Sequence, residues 1–256
     1  MKSSFKIILP LTVLGALVWI GCDTQYPTSY TNIKSAGAMV INFENGLGVN
    51  PGLAEANRPN NLVQTAGTAL IANPYPTTWG SGTLNLVSPG AANTSTCAHV
   101  TGTVIDPGTA VYPSIQLQVP LDKAAAWNSY YDASLFSGVQ FYVKVNSDDT
   151  AGKRVFSIPI AQTQPPANGG TCNPSASSNA CYNDFFNTFS GTNGSWQLLT
   201  FSFASFTRGA YGAAVTPTTL SGSNLQQILM LDWTESNNNV AGTINVDFYV
   251  DEVQFY

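Results

Sequence analysis

Charge is what this chain has least of. Only 9% of its 256 residues are Asp, Glu, Lys or Arg, and the net charge is −5. No basic run occurs, which excludes the electrostatic footprint that nucleic-acid binding requires. Histidine is reduced to one residue, His99, and glutamate to four, Glu44, Glu55, Glu235 and Glu252. His99 lies in an early strand with no evident Ser or Cys partner, so triad chemistry has little support. A glycosidase needs two carboxyl groups across the scissile bond. The Glu-x-Asp-x-Glu pattern of jelly-roll glucanases is absent, and the nearest pair, Asp232 and Glu235 in "LDWTESNNN", reads as a strand end entering a loop. No phosphate-cradling glycine loop and no zinc-ligand spacing is present.

Long apolar runs are also scarce, and the one that exists opens the chain. "MKSSFKIILPLTVLGALVWIGC" has two lysines, an apolar stretch from Ile7 to Ile20, then Gly21-Cys22. A charged start, a short apolar stretch and a small residue make a secretory signal. The stretch is short for a membrane span, and Pro10 interrupts it. The Gly-Cys junction resembles the lipobox of bacterial lipoproteins, in which the cysteine becomes the new N-terminus and carries lipid. Trp19 stands where that motif usually has Leu, Val or Ile, which leaves ordinary secretion as the alternative. The expected organisation is a signal peptide over 1–21, a lipidated N-terminus at Cys22 with a polar tether over 22–38, and one domain over 39–256. That domain is long enough to bury a core. The expected location is the bacterial cell envelope, on the outer membrane or cell surface, with the lipid on Cys22 as the one membrane contact and a monomeric state.

Cysteine is scarce too. After Cys22 there are three. "CNPSASSNAC" places Cys172 and Cys181 at the ends of a loop of Ser, Asn and Pro, which in an exported chain reads as a disulfide. Closing so short a loop stabilises by about 2–3 kcal/mol in the chain-entropy model. A metal site would need more Cys or His nearby. Cys97 alternates with His99 in "STCAHVTG" and reads as a small buried side chain.

What the chain does have is short alternating segments between Gly, Pro and Asn clusters. Strands are expected at Met39–Phe43, Thr83–Val87, Ala98–Val104, Ser114–Val119, Gly138–Asn146, Arg154–Ile160, Trp196–Phe203, Gln227–Trp233 and in the closing "VDFYVDEVQFY". Helix signal is confined to "LDKAAAWNSYY" and the stretch after Cys181. Many short strands at this spacing predict an all-β, two-sheet antiparallel sandwich of jelly-roll type. In the closing strand Val246, Phe248 and Val250 share one face, and then Val253 and Phe255 carry the apolar pattern. The register therefore breaks at Asp251-Glu252.

Alternation also sorts faces. Val139, Phe141, Val143 and Val145 point to the core, each contributing roughly 1.5–3 kcal/mol when buried. Gln140, Tyr142 and Lys144 stand on the outer side, as do Asn245, Asp247 and Tyr249 of the last strand. An outer face that carries both aromatic rings and hydrogen-bonding groups is where a sandwich could hold a ligand. The ligand candidates are therefore Tyr142, Lys144, Asp247 and Tyr249, with Trp233 at a strand end, Tyr211 and Arg208 around "RGAYG", and Trp79 in "YPTTWGSG" at a rim. For Trp79 the alternative is core packing, and for the whole face it is a plain solvated surface.

"NFENG", "HVTG", "DASLFSGVQFYVK", "GGTCNP" with "NACYNDF", "WQLLTFSFASFTRGAYG" and "FYVDEVQFY" follow one another along the chain. In that order they resemble bacterial secreted proteins with a galactose-binding-like jelly roll, and within these the family 11 carbohydrate-binding modules and their relatives. The resemblance spans about Met39 to Tyr256. It implies non-catalytic binding of polysaccharide, often β-glucan, on the outer, concave face of one sheet. It also implies structural calcium, with Glu44 of "NFENG" and Asp251 of "YVDEV" at the matching positions. Oxygen ligands from carboxylates and carbonyls suit that ion. A bulge at Asp251 would turn it towards the ion and re-aim Val253 and Phe255. The alternatives for function are a surface adhesion protein that binds another protein, and a jelly-roll glycosidase or lyase.

Overall fold

The computed structural model describes residues 38–44, 70–72, 79–108, 113–121, 130–146, 153–173, 181–209, 217–236 and 241–256. These carry eleven strands: β1 (Ala38–Ile41), β2 (Leu70–Ala72), β3 (Gly80–Val87), β4 (Cys97–Asp106), β5 (Ser114–Pro120), β6 (Gly138–Val145), β7 (Lys153–Ile158), β8 (Phe185–Thr188), β9 (Gln197–Ser202), β10 (Met230–Ser236) and β11 (Gly242–Phe255). One sheet runs β3-β4-β11-β6-β9, with β1 also paired to β11, and the other runs β2-β5-β10-β7-β8. Every pairing is antiparallel. The result is an all-β, two-sheet sandwich of jelly-roll type.

The two sheets meet through the residues that period two sends inward. In β5, Ile115, Leu117 and Val119 are buried, while Gln116 and Gln118 stand outside. The expected row of Val139, Phe141, Val143 and Val145 is buried along β6. Across the gap Phe141 meets Phe156 of β7 at 4.7 Å and Trp233 of β10 at 5.1 Å between ring centroids. Edge-on and tilted ring contacts of this kind add to the area term. Arg154 and Glu235, direct partners on β7 and β10, form a buried ion pair at 2.6 Å.

β11 holds the register break read from the sequence. Ile244, Val246, Phe248 and Val250 face the core, then Val253 and Phe255 do. Between them the β11–β6 register shifts from Asp251 to Gln254, and Glu252 takes φ 49. This is a bulge with a non-glycine residue in the left-handed region, a conformation retained only where its surroundings impose it.

One expectation needs correction, and one strand went unread. The stretch after Cys181 leads into β8, an edge strand paired with β7 through Phe185↔Ile158, and from there Phe185 is fully buried in the core. The three-residue β2 was not anticipated, since three residues display no period. Of "LDKAAAWNSYY", residues 122–129 lie outside the described residues, as do Cys22 and the whole 1–37 segment. Cys172 and Cys181 form the expected disulfide, and Cys97 is free and buried. Among the described residues no helix is long and apolar enough to cross a membrane.

Candidate functional site

The outer side of the six-stranded sheet gathers three of the sequence-predicted ligand residues. Lys144, Asp247 and Tyr249 come together with His99 and Trp196, because pairing sets His99 beside Tyr249 and Tyr249 beside Lys144. The His99 and Tyr249 rings stack at 3.9 Å with 4° between planes. The Lys144 ammonium lies 4.0 Å from the Tyr249 centroid and 5.4 Å from that of Trp196. His99 Nε2 and Asp247 Oδ1 are 2.9 Å apart, and Asn146 Nδ2 donates to the same carboxylate at 3.4 Å. The chemistry here is turned inward. With an imidazole stacked on it and an ammonium 4.0 Å from its centroid, much of the Tyr249 ring is already taken.

Other candidates fall away from this surface. Tyr142 is only 2% exposed, flanked on β6 by its cross-strand neighbours Asp251 and Leu198, so it offers no platform. Trp233 is fully buried between Phe141 and Phe156, because β10 turns Leu231, Trp233 and Glu235 inward and Asp232 outward. Trp79 is half-buried just before β3. Tyr211 lies outside the described residues.

A cleft opens instead on the outer face of the five-stranded sheet. It encloses about 430 Å³ and is lined by Gln116, Gln118, Pro159, Gln164, Asn168, Tyr182, Asp184, Met230 and Asp232. Its floor is the polar side of β5 and β10, set by the same alternation that buries Ile115, Leu117, Leu231 and Trp233. Its wall is built by local chain geometry. Gly169, at φ 80, ends a short 3-10 turn, and the returning strand of chain donates from Thr171 N to Ala161 O and from Cys172 N to Gln164 O. The Cys172–Cys181 disulfide then brings the chain back, and Tyr182 N donates to Thr163 O at 2.7 Å. Tyr182 itself sits at φ 67 and is 59% exposed. An aromatic residue held in the left-handed region and left open to water is an outlier of the sort found at binding sites.

Hydrogen bonds order the cleft. Gln118 Nε2 donates to Gln116 Oε1 at 2.9 Å, and Asn168 Nδ2 to Gln164 Oε1 at 3.0 Å. Gln164 Nε2 donates to both Asp184 oxygens, at 2.9 and 2.8 Å, and Thr163 Oγ1 donates to Oδ1 as well. Thr234 Oγ1 donates to Asp232 Oδ1 at 3.2 Å. Burial pushes the Asp184 carboxyl up to about 6, against the pull of Thr163, Gln164 and Arg208. Burial, then the charge of Asp184, pushes Asp232 up to about 8. Arg208 stands behind the wall, its Nε donating to Asn183 O at 2.7 Å and Nη1 to Pro217 O at 2.9 Å. It supports Asp184 by charge and does not line the cleft.

Glu44 and Asp251 meet at the loop that joins β3 to β4. Thr96 N donates to Glu44 Oε1 at 2.8 Å, and Ser95 Oγ donates to Oε2. Asp251 Oδ2 accepts from Ala91 N at 2.7 Å and Thr94 Oγ1 at 2.6 Å, and Oδ1 accepts from Glu252 N at 2.9 Å. The ordering bond from Ser95 holds Glu44 below the usual carboxylate range, and burial lifts Asp251 to about 7. A Cβ at Gly90 would lie 2.1 Å from Thr94 Oγ1, 2.4 Å from Thr96 O and 2.5 Å from Asp251 Oδ2, so only glycine lets these oxygens approach. Among the described residues no three His, Cys, Asp or Glu side chains gather as a metal site. An ion here would therefore lean on carbonyl and hydroxyl oxygens beside the two carboxylates. That all-oxygen set fits calcium.

No family model matches the chain, and no curated protein does. Among solved structures it is similar to the family 11 carbohydrate-binding module of a cellulosomal cellulase of Clostridium thermocellum, at 14% identity and a TM-score of 0.44, over 78% of this chain and 92% of that one. It is also similar to a family 11 module from Clostridium thermocellum in complex with a β-1,3-1,4-mixed-linked tetrasaccharide, at 14% identity and a TM-score of 0.45, over 73% and 87%. An exo-β-agarase structure is similar at 9% identity and a TM-score of 0.43, over 85% of this chain and 24% of that one.

Sequence reasoning missed most of the cleft. Gln116 and Gln118 alternate visibly with Ile115, Leu117 and Val119, so their outward face was readable. Asp184 and Tyr182 were not, because a disulfide and a 3-10 turn place them. The available signal was an aromatic residue next to a cysteine in a loop that otherwise lacks large apolar side chains.

Proposed function

We propose that the protein binds a polysaccharide in the cleft of the five-stranded sheet and does so without chemistry. The observation that carries this reading is the cleft itself. It is open, lined by amides and carboxyls, and bordered by one exposed aromatic ring. Amides offer both donors and acceptors to hydroxyls, and Tyr182 offers a face to C–H groups. Among the described residues no cationic side chain lines the cleft, which favours uncharged chains over uronate or sulfated ones.

Isothermal titration and affinity electrophoresis against β-glucans, xylans, mannans and agarose test the reading. Tyr182→Ala and Gln118→Ala are expected to weaken binding about tenfold each, a loss of about 1.4 kcal/mol, with the melting temperature nearly unchanged. Retention of none of these glycans, or unaltered binding by both variants, would remove the assignment. One observation favours a second reading: Asp184 and Asp232 are two carboxyls with separated proton affinities, the arrangement of an acid–base pair. Release of reducing ends from the same glycans would move the protein to the hydrolases.

Two further parts of the reading belong to the rest of the chain. Calcium is proposed at Glu44 and Asp251 as a structural ion, supported by the all-oxygen donor set around Gly90. A lipid on Cys22 is proposed as the anchor to a bacterial envelope membrane, supported by the signal-like start that ends in Gly21-Cys22.

A further inference from the structure

Asp184 and Asp232 line one cavity and reach it from different elements. Asp232 stands on the sheet floor, and Asp184 on the wall that follows the disulfide. Their surroundings differ. Asp184 accepts three hydrogen bonds, two from Gln164 and one from Thr163, and Arg208 lies behind it. Asp232 has Thr234 and Gln118 as partners. Among the described residues, the elements around Asp232 bring no cation to the cleft. β5 contributes Gln116 and Gln118, β7 contributes Ser157, the turn after β7 contributes Pro159, Gln164 and Asn168, and the wall contributes Tyr182 and Asp184.

Resting on the glycan-binding reading, we propose that the cleft is a one-proton site: it holds an uncharged sugar chain best with a single proton on the Asp184–Asp232 pair, and loses it when the pair is doubly ionised or doubly protonated. Ionised Asp184 is an acceptor for a sugar hydroxyl, and that bond is charge-assisted. Protonated Asp232 is a donor to a sugar oxygen. With both ionised, the cleft presents two acceptor-only groups, and covering them with a ligand desolvates two like charges at once. With both protonated, the charge-assisted bond is gone. The proton affinities order the steps. Asp232, near 8, keeps its proton at neutral pH, and Asp184, near 6, gives its proton up. Raising pH through about 8 strips the donor, and lowering it through about 6 neutralises the acceptor. Because the groups interact, the two midpoints belong to the pair.

The test is isothermal titration of the full protein, from pH 5 to 9.5, with a neutral oligosaccharide of the glycan it retains. Affinity is expected to peak between the two midpoints and to fall about tenfold for each pH unit beyond them. Asp232→Asn, which keeps a donor, should flatten the alkaline fall, and Asp184→Asn should flatten the acid one. Flat binding in the unmodified protein, or an alkaline fall that survives Asp232→Asn, overturns the proton dependence and leaves the glycan reading standing. Absence of binding at every pH overturns the glycan reading. A readout that needs no glycan runs beside it: carbon-13 carboxyl shifts of the ligand-free protein. Asp232 should titrate near 8 and move to lower pH in Asp184→Asn. An Asp232 midpoint in the ordinary carboxylate range overturns the proposal whatever the glycan result.

Discussion

Arg154 and Glu235 show how one pair of side chains constrains the sandwich from within. They face each other directly across β7 and β10, 2.6 Å apart, with side chains 6% and 1% exposed. Such a pair contributes little net stability when whole, because desolvation offsets attraction, but removing one member strands a buried charge. Arg154→Ala is therefore expected to cost about 3–5 kcal/mol, while a paired replacement of Arg154 by Met and Glu235 by Leu is expected to cost far less. Urea unfolding of the three proteins measures both. Part of this was legible. Asp232 and Glu235 are three residues apart in a strand, an odd spacing, so they lie on opposite faces and were never one catalytic pair. The same count sends Trp233 inward. What alternation does not give is the neighbour across the sheet. Tyr249 was readable as outward, but not as a ring stacked on His99 at 3.9 Å with Lys144 over it.

β11 is the element that ties the two ends of the described domain together. It pairs with β1 as well as with β4 and β6, and its bulge lays Asp251 under the loop that also binds Glu44. Calcium at this junction would bind the folded chain and not the unfolded one, and so raise stability with its concentration. The melting temperature is expected to rise with added calcium and fall with chelator, and Asp251→Asn or Glu44→Gln should abolish the response. A melting curve unchanged in excess chelator would remove the ion. The bulge was readable because Val250 and Val253 break a period of two. β2 and β8 were not, since strands of three and four residues leave too short a pattern. The turn that presents Tyr182 was hidden for another reason: positive φ in a tyrosine follows from tertiary restraint and has no local signature.

At the scale of the whole molecule, sequence gives faces and withholds order. Gln118 of β5 and Asp232 of β10 meet Asp184, which stands just before β8, because β5, β10, β7 and β8 follow one another in one sheet and the disulfide-closed wall returns over them, and nothing local announces that arrangement. The start of the chain makes its own claim. If Cys22 carries lipid, the intact mass of natively processed protein will correspond to a chain beginning at Cys22 with the mass of a lipid added; an unmodified start at any other residue would reject it. The Cys172–Cys181 bridge adds a consequence of its own. Tyr182 and Asp184, just past the bridge, are no part of the apolar core, yet they carry the ring and one carboxyl of the cleft. A chain held among reducing thiols would thus acquire its interior and lack a finished receptor wall. If the proposed glycan reading holds, reducing this bridge should weaken sugar binding while the interior stays folded, so that oxidation would act as the last step in finishing the site.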